Sequence, residues 1–240
     1  MFKTTLLAGA AGLLVSLSSS GRSAAADAPL RIRAYLHDPV KPMAELYVAD
    51  PSGSAEKLQL VMGNLSNGQN VVPSNGSIVL YSKPFQNAAE AKESAICSAK
   101  VPSKAKSAII VIVGMPPGTE PAYKMVVLDD GPSAFPKGES RALSLIPVEA
   151  AIEIGEHKLP LESGKICKIP AVKRKNDFNM AQTNFYYRNE ERWVPFTERQ
   201  MQYLEDYRRI FVVHVTPGAV APTVTSIVDV APATVPKEPG

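Results

Sequence analysis

The reactive side chains of this sequence are scattered, and each candidate grouping fails on its surroundings. Gly138-Glu139-Ser140-Arg141-Ala142 approaches the G-x-S-x-G elbow, with alanine in place of the last glycine. That elbow lifts a serine nucleophile out of a sheet and needs a buried strand before the serine and a helix after it. Here Phe135-Pro136-Lys137 reads as a turn and Ala142 to Ile154 as strands, so Ser140 is not expected to attack anything. Ser103-Lys104-Ala105-Lys106 has the S-x-x-K spacing of acylating enzymes, but it occupies a short polar connection and no K-T-G follows. His37, His157 and His214 share no metal-binding spacing, and Asp129-Asp130-Gly131-Pro132 lacks the alternating carboxylates of a calcium loop. Glu190-Glu191 is a carboxylate pair of the type a glycosidase uses, placed in a hairpin turn. No glycine-rich phosphate loop is present. The expectation is a protein without catalytic residues, metal or cofactor.

Binding chemistry has a better address. Nine of the sixteen aromatic residues fall between Phe178 and Phe211, interleaved with Arg188, Arg192, Arg199, Arg208 and Arg209 and preceded by Lys173-Arg174-Lys175. Aromatic faces beside guanidinium groups suit sugar rings, peptides and anionic polymers through stacking and charge-assisted hydrogen bonds. Strand alternation places Phe185 and Tyr187 on one face and Tyr186 and Arg188 on the other, so part of the cluster is core. The expected outward set is Tyr186, Arg188, Arg192 and Trp193. Cys97 and Cys167, both in strand-like runs, are either a disulfide or two buried thiols; sequence leaves both open.

The elements that position these residues read as short strands. Leu30 to Leu36 alternates strictly, and Ala108 to Val113 (AIIVIV) is apolar throughout, as a strand covered on both faces must be. Further strands are expected over 45–49, 57–62, 78–82, 123–128, 142–146, 150–154, 166–169, 184–187, 192–196, 210–215 and 223–230. Asn75-Gly76 and Glu190-Glu191 mark hairpin turns. The chain carries 21 prolines and 15 glycines, which punctuate strands better than helices. Two helices are expected: Asn87 to Ser94, behind an asparagine cap, and Thr197 to Tyr207, whose T-E-R-Q start matches a capping box. No fixed-period repeat is visible. The Pro/Gly stretch at 114–121 is the candidate boundary between a domain at 27–117 and another at 118–230, with a proline-rich tail at 231–240.

The N-terminus has the layout of a cleavable leader: Lys3, the apolar run Leu6 to Leu17, then small residues ending in Ala24-Ala25-Ala26. The apolar run is shorter than the roughly 20 residues a spanning helix requires, so no membrane span is expected after removal of residues 1–26. Losing Lys3 and Arg22 leaves 24 basic against 23 acidic residues, too little excess for a nucleic-acid binder.

Phe135-Pro136-Lys137-Gly138-Glu139-Ser140-Arg141, followed by Leu143 to Pro147 and Ile152-Glu153-Ile154-Gly155, resembles a pattern in uncharacterised exported β-rich proteins of bacteria. There F-P-x-G-x-x-R leads into a strand and a glycine-containing turn. Those proteins carry an Asn-Leu pair where this chain has Ser144-Leu145. The resemblance covers the C-terminal half and implies compartment and fold, not an activity. The sequence thus predicts an all-β protein of two packed antiparallel sandwich-like halves with two short helices, exported to periplasm, envelope or exterior. Its expected function is non-catalytic binding of an envelope polymer or protein partner. The rivals are a carbohydrate-active or other hydrolase and a structural subunit of a surface assembly.

Overall fold

Alternating apolar residues separated by turn residues fold into sixteen short strands and one helix among the described residues. The computed structural model describes residues 28–37, 45–115, 118–216 and 218–230. The leader expected at 1–26 and the proline-rich tail expected at 231–240 lie outside them. In chain order the elements are β1 (Leu30–His37), β2 (Tyr47–Ala49), β3 (Ala55–Lys57), β4 (Gln69–Val71), β5 (Ser77–Tyr81), α1 (Ala88–Ser94), β6 (Ala95–Lys100), β7 (Ser107–Gly114) and β8 (Tyr123–Asp129). They continue with β9 (Ser140–Ser144), β10 (Ala150–Ile154), β11 (His157–Leu161), β12 (Ile166–Ile169), β13 (Met180–Asn189), β14 (Arg192–Gln202), β15 (Arg208–His214) and β16 (Thr223–Asp229).

These strands form four four-stranded sheets, and the second pair repeats the wiring of the first. The N-terminal half has sheets ordered β4-β1-β7-β8 and β3-β2-β5-β6; adding eight to each number gives the C-terminal sheets β12-β9-β15-β16 and β11-β10-β13-β14. Even the one parallel pairing recurs, β1 with β7 and β9 with β15. Register makes the correspondence residue by residue: Arg33 faces Ile109 as Arg141 faces Ile210, and Ile109 faces Leu128 as Ile210 faces Ile227. The two halves are therefore a structural repeat, with no fixed spacing in the sequence to mark it. Among the described elements only α1, between β5 and β6, has no counterpart.

Three apolar layers hold the four sheets. Leu30, Ile32, Ala34, Ile110 and Ile112 meet Val48, Ile78 and Leu80 inside the N-terminal half. Ala142, Phe211 and Val213 meet Ile152, Ile154 and Phe185 inside the C-terminal half. The third layer lies between the halves: the opposite faces of the two inner sheets bring Tyr35, Ile109, Val111 and Leu128 against Leu143, Ile210, Val212 and Ile227. The unbroken apolar run of β7 follows from this arrangement, since it is covered on both sides.

The F-P-x-G-x-x-R stretch builds the seam between the halves. Phe135, 1% exposed, lies between two guanidinium groups, Arg141 and Arg208, each 4.4 Å from its ring centroid. Arg141 also donates to the Ala134 and Ser140 carbonyls and to Glu139. Beside the ring, Arg33 and Arg208 share two buried carboxylates, Asp130 and Asp229, which occupy equivalent places after β8 and at the end of β16. Arg33 donates to Asp130 at 2.9 and 3.1 Å and to Asp229 at 2.8 Å twice. Burial alone would lower Arg33 and raise Asp229. Their mutual hydrogen bonds and charges reverse both, holding the guanidinium above and the carboxyl below its ordinary range.

Several expectations need correction. The helix expected over 197–207 is strand to Gln202, because residues 197–202 pair with β13 from Phe185 back to Met180. A cross-strand ladder outweighs the capping-box signature. Among the described residues there is thus one helix, α1, whose expected cap is present: the Asn87 side chain accepts from Ala89 N–H and Glu90 N–H. β7 and β8, on either side of the expected 117/118 boundary, pair antiparallel within one sheet. The change of half falls after Asp130, the carboxylate that follows β8. Of the two readings left open for Cys97 and Cys167, the structure has the free thiols, on β6 of one outer sheet and β12 of the other half's inner sheet. Burial pushes the Cys97 thiol up to about 11 and raises Cys167 as well.

Candidate functional site

The C-terminal outer sheet turns one face to the core, and among the described residues nothing covers the other. Along β10, Ala150, Ile152 and Ile154 are buried, so Ala151 and Glu153 point out. Along β13, Ala181, Thr183 and Phe185 are buried, so Gln182, Asn184, Tyr186 and Arg188 point out. Register aligns these into rows across the sheet. Pro160, Ala151, Tyr186 and Pro195 form one row, largely apolar. Lys158, Glu153, Asn184 and Glu198 form the next, entirely polar.

Hydrogen bonds join the rows into one network. Gln182 Nε2 donates to Asn184 Oδ1 (2.6 Å), Asn184 Nδ2 to Tyr186 Oη (3.3 Å), and Tyr186 Oη to Glu153 Oε2 (3.1 Å). Lys158 Nζ lies 2.8 Å from Glu153 Oε1. The Lys158 bond, opposed by partial burial and reinforced by Tyr186, holds the Glu153 carboxyl below its ordinary range; burial and Glu153 raise Tyr186. At neutral pH the platform presents a carboxylate, amides and a protonated phenol beside an apolar strip.

At the hairpin end Arg188 and Trp193 are directly paired, and the guanidinium carbon sits 5.7 Å from the indole centroid. Arg188 also donates to the Glu190 carbonyl at 3.1 Å, which fixes its orientation over the ring. Trp193 is 45% exposed and forms one wall of a shallow pocket of about 360 Å³, whose other walls include Pro147, Pro160, Glu149 and Glu162.

Of the four residues expected to face outward, Arg188 and Trp193 meet in a stack and Tyr186 lies one row in from them. Arg192 pairs with Asn189, and alternation turns it to the other side of the hairpin. Phe185 and Tyr203 are core, Tyr187 and Phe196 pack against that core, and Phe178, 75% exposed, stands on the turn before β13. The residues that the aromatic cluster does not point to are Glu153, Asn184 and Lys158. Their signal is the alternation of β10 and β11, legible only once those strands are placed beside β13.

The basic run Lys173-Arg174-Lys175 serves the fold. The Glu156 carboxylate accepts the Lys173 and Arg174 backbone N–H groups at 2.8 and 2.9 Å, and Lys175 Nζ donates to the Tyr203 carbonyl at 3.0 Å. Burial opposes ionisation of Glu156, but these N–H donors outweigh it and hold the carboxyl at about 2. Ser140 is buried in β9 between β12 and β15, with none of the exposure an elbow serine needs. Among the described residues no group of three His, Cys, Asp or Glu is placed to hold a metal ion, and no helix is long and apolar enough to cross a membrane.

No protein-family model matches this sequence, and no curated protein matches it.

Proposed function

We propose that this chain is an exported, non-catalytic envelope protein that binds an extended polymer on the outer face of its C-terminal half. The observation that carries the reading is the Arg188–Trp193 stack, standing exposed at the end of a flat platform with one apolar and one polar row. A sugar ring lays its apolar face on an indole and spends its hydroxyls on amides and carboxylates, so adjoining apolar and polar rows match a polysaccharide strand. The pocket beside Trp193 accommodates one unit or substituent of that strand.

The hydrolase reading draws support from Glu149 and Glu162 in the same pocket. A general acid, however, needs a carboxyl sheltered from water to keep its proton. Glu162 is 65% exposed and paired with Lys165. The arrangement therefore favours holding a polymer over cutting it.

Retention of the purified protein on insoluble peptidoglycan and on a panel of immobilised glycans tests the proposal. Trp193→Ala is expected to lose retention on at least one matrix that holds the wild type. Equal retention of both proteins on every matrix removes the reading.

A further inference from the structure

The inner sheet of each half ends in a strand with one sheet partner, β8 in the N-terminal half and β16 in the C-terminal half. The two edges are covered unequally. β6 runs close along β8, whereas β14, its counterpart, barely approaches β16. Among the described residues no backbone hydrogen bond reaches Thr223–Asp229 from outside the ladder with β15. A strand directs N–H and C=O groups to both sides, so one row of them along β16 is unpaired.

Such edges are ordinarily blunted by charge, proline, a bulge or shortness. β3, β6, β8, β11, β12 and β14 each carry a charged residue within the strand, and β4 has three residues. Residues 223–228, Thr-Val-Thr-Ser-Ile-Val, hold neither charge nor proline and pair with β15 without a bulge. Five of those six are β-branched, the composition that pairs most readily. The one charge of β16, Asp229, is turned into the seam with Arg33 and Arg208.

This strand is complementary to itself. Placed antiparallel about Ser226, it sets Val224 against Val228 of the other copy, Thr225 against Ile227 and Thr223 against Asp229. The exposed Val228 thereby gains an apolar neighbour. Asp229 meets a threonine, whereas a parallel pairing would oppose two carboxylates. Seven paired residues alone fall short of the roughly 800 Å² per partner of a stable interface. Extending the register puts the exposed Val230 of each copy opposite Pro222 of the other, at the loop that carries the fully exposed Val220.

We infer that β16 pairs antiparallel with β16 of a second copy of this chain, joining two inner sheets into one across a two-fold axis near Ser226. Both copies use the same edge, so assembly closes at the dimer.

Sedimentation equilibrium of the intact protein tests this, with a monomer–dimer equilibrium in the micromolar range expected. Val228→Lys places an ammonium against Val224 of the other copy and should weaken dimerisation at least tenfold, whereas Val228→Ile should preserve it. An unchanged circular-dichroism spectrum shows that pairing is lost from a folded protein. Amide exchange needs no variant: in the wild type it should slow over residues 223–229 as protein concentration rises, and not in β12 or β14. A wild type that stays monomeric at millimolar concentration, a dimer indifferent to Val228→Lys, species larger than a dimer, or concentration-independent exchange in β16 overturns the inference.

Discussion

The two halves share one wiring diagram and spend it differently. In the N-terminal half the outer sheet is made of strands of three to six residues. In the C-terminal half the matching hairpin, β13 and β14, runs to ten and eleven. The inner sheets, which must mate across the seam, keep closely similar register and apolar character. Packing against a fixed partner constrains a strand on both faces, whereas an outer strand is constrained on one and is free to lengthen and change its exposed side chains. The platform with Arg188 and Trp193 lies where the packing constraint is one-sided and the hairpin is longer.

The sharpest break of the comparison lies at Arg33 and its counterpart Arg141. Arg33→Met strips two fully buried carboxylates of a shared partner and should cost about 3–5 kcal/mol, read as a lowered urea midpoint. Arg141 answers to the partly exposed Glu139 and to two carbonyls, so Arg141→Met should cost about 1–2 kcal/mol in the same measurement. Equal losses would show that the seam is symmetric in energy as well as in wiring.

The hairpin tips come next. Gly155 opens the two-residue β10–β11 turn at φ +55°, and a Cβ there would meet Val172 Cγ1 at 2.7 Å. Gly155→Ala should lower stability by about 1–3 kcal/mol, again by urea unfolding. In the N-terminal half the β2–β3 turn places Gly53 at φ +83° with nothing within 4 Å, so Gly53→Ala should be milder.

Both tips also hold a carboxylate on two backbone N–H groups. Asp50 takes Ser52 and Ser54 from its own turn, whereas Glu156 takes Lys173 and Arg174 from a distant loop. A carboxyl depressed by folding stabilises above its unfolded pKa, near 4.3 for glutamate. That contribution disappears as pH falls through the folded value, about 2 for Glu156. Acid titration followed by NMR should show the 171–175 loop shifting with a midpoint near the folded value of about 2, and Glu156→Gln should abolish the transition. Asp50→Asn should leave that loop unchanged.

The smallest expected effect on stability is at the proposed surface. Trp193→Ala removes a half-exposed side chain and should change unfolding free energy by no more than about 0.5 kcal/mol. A larger loss in thermal or urea unfolding would recast the indole as part of the packing.

Local patterns made the strands of this protein readable and its long-range pairings not. Alternation in Leu30 to Leu36, the apolar run of β7 and the Asn87 cap each act within a few residues, and each appears where the pattern puts it. Thr197 to Gln202 satisfies a helix-start rule yet pairs as strand, because its fate is decided by residues 180–185. The seam ions sit at 33, 130, 208 and 229, and no spacing rule joins them. The repeated wiring was hidden for a related reason: α1 in one half and the long β13–β14 hairpin in the other change the spacing, leaving Arg33-Ala34 and Arg141-Ala142 as faint echoes.

The parallel pairing of β1 with β7 has a kinetic consequence. The opening strand of each half sits in the middle of its inner sheet, and its two neighbours are supplied only after the intervening outer strands. Such contacts span most of the unit and carry a heavy loop-closure entropy. A ribosome must therefore extrude residues beyond Gly114 before Leu30–His37 finds its central slot. Until then that strand remains an open, sticky ribbon, and the rate of assembly is set by connectivity more than by the strength of any one contact.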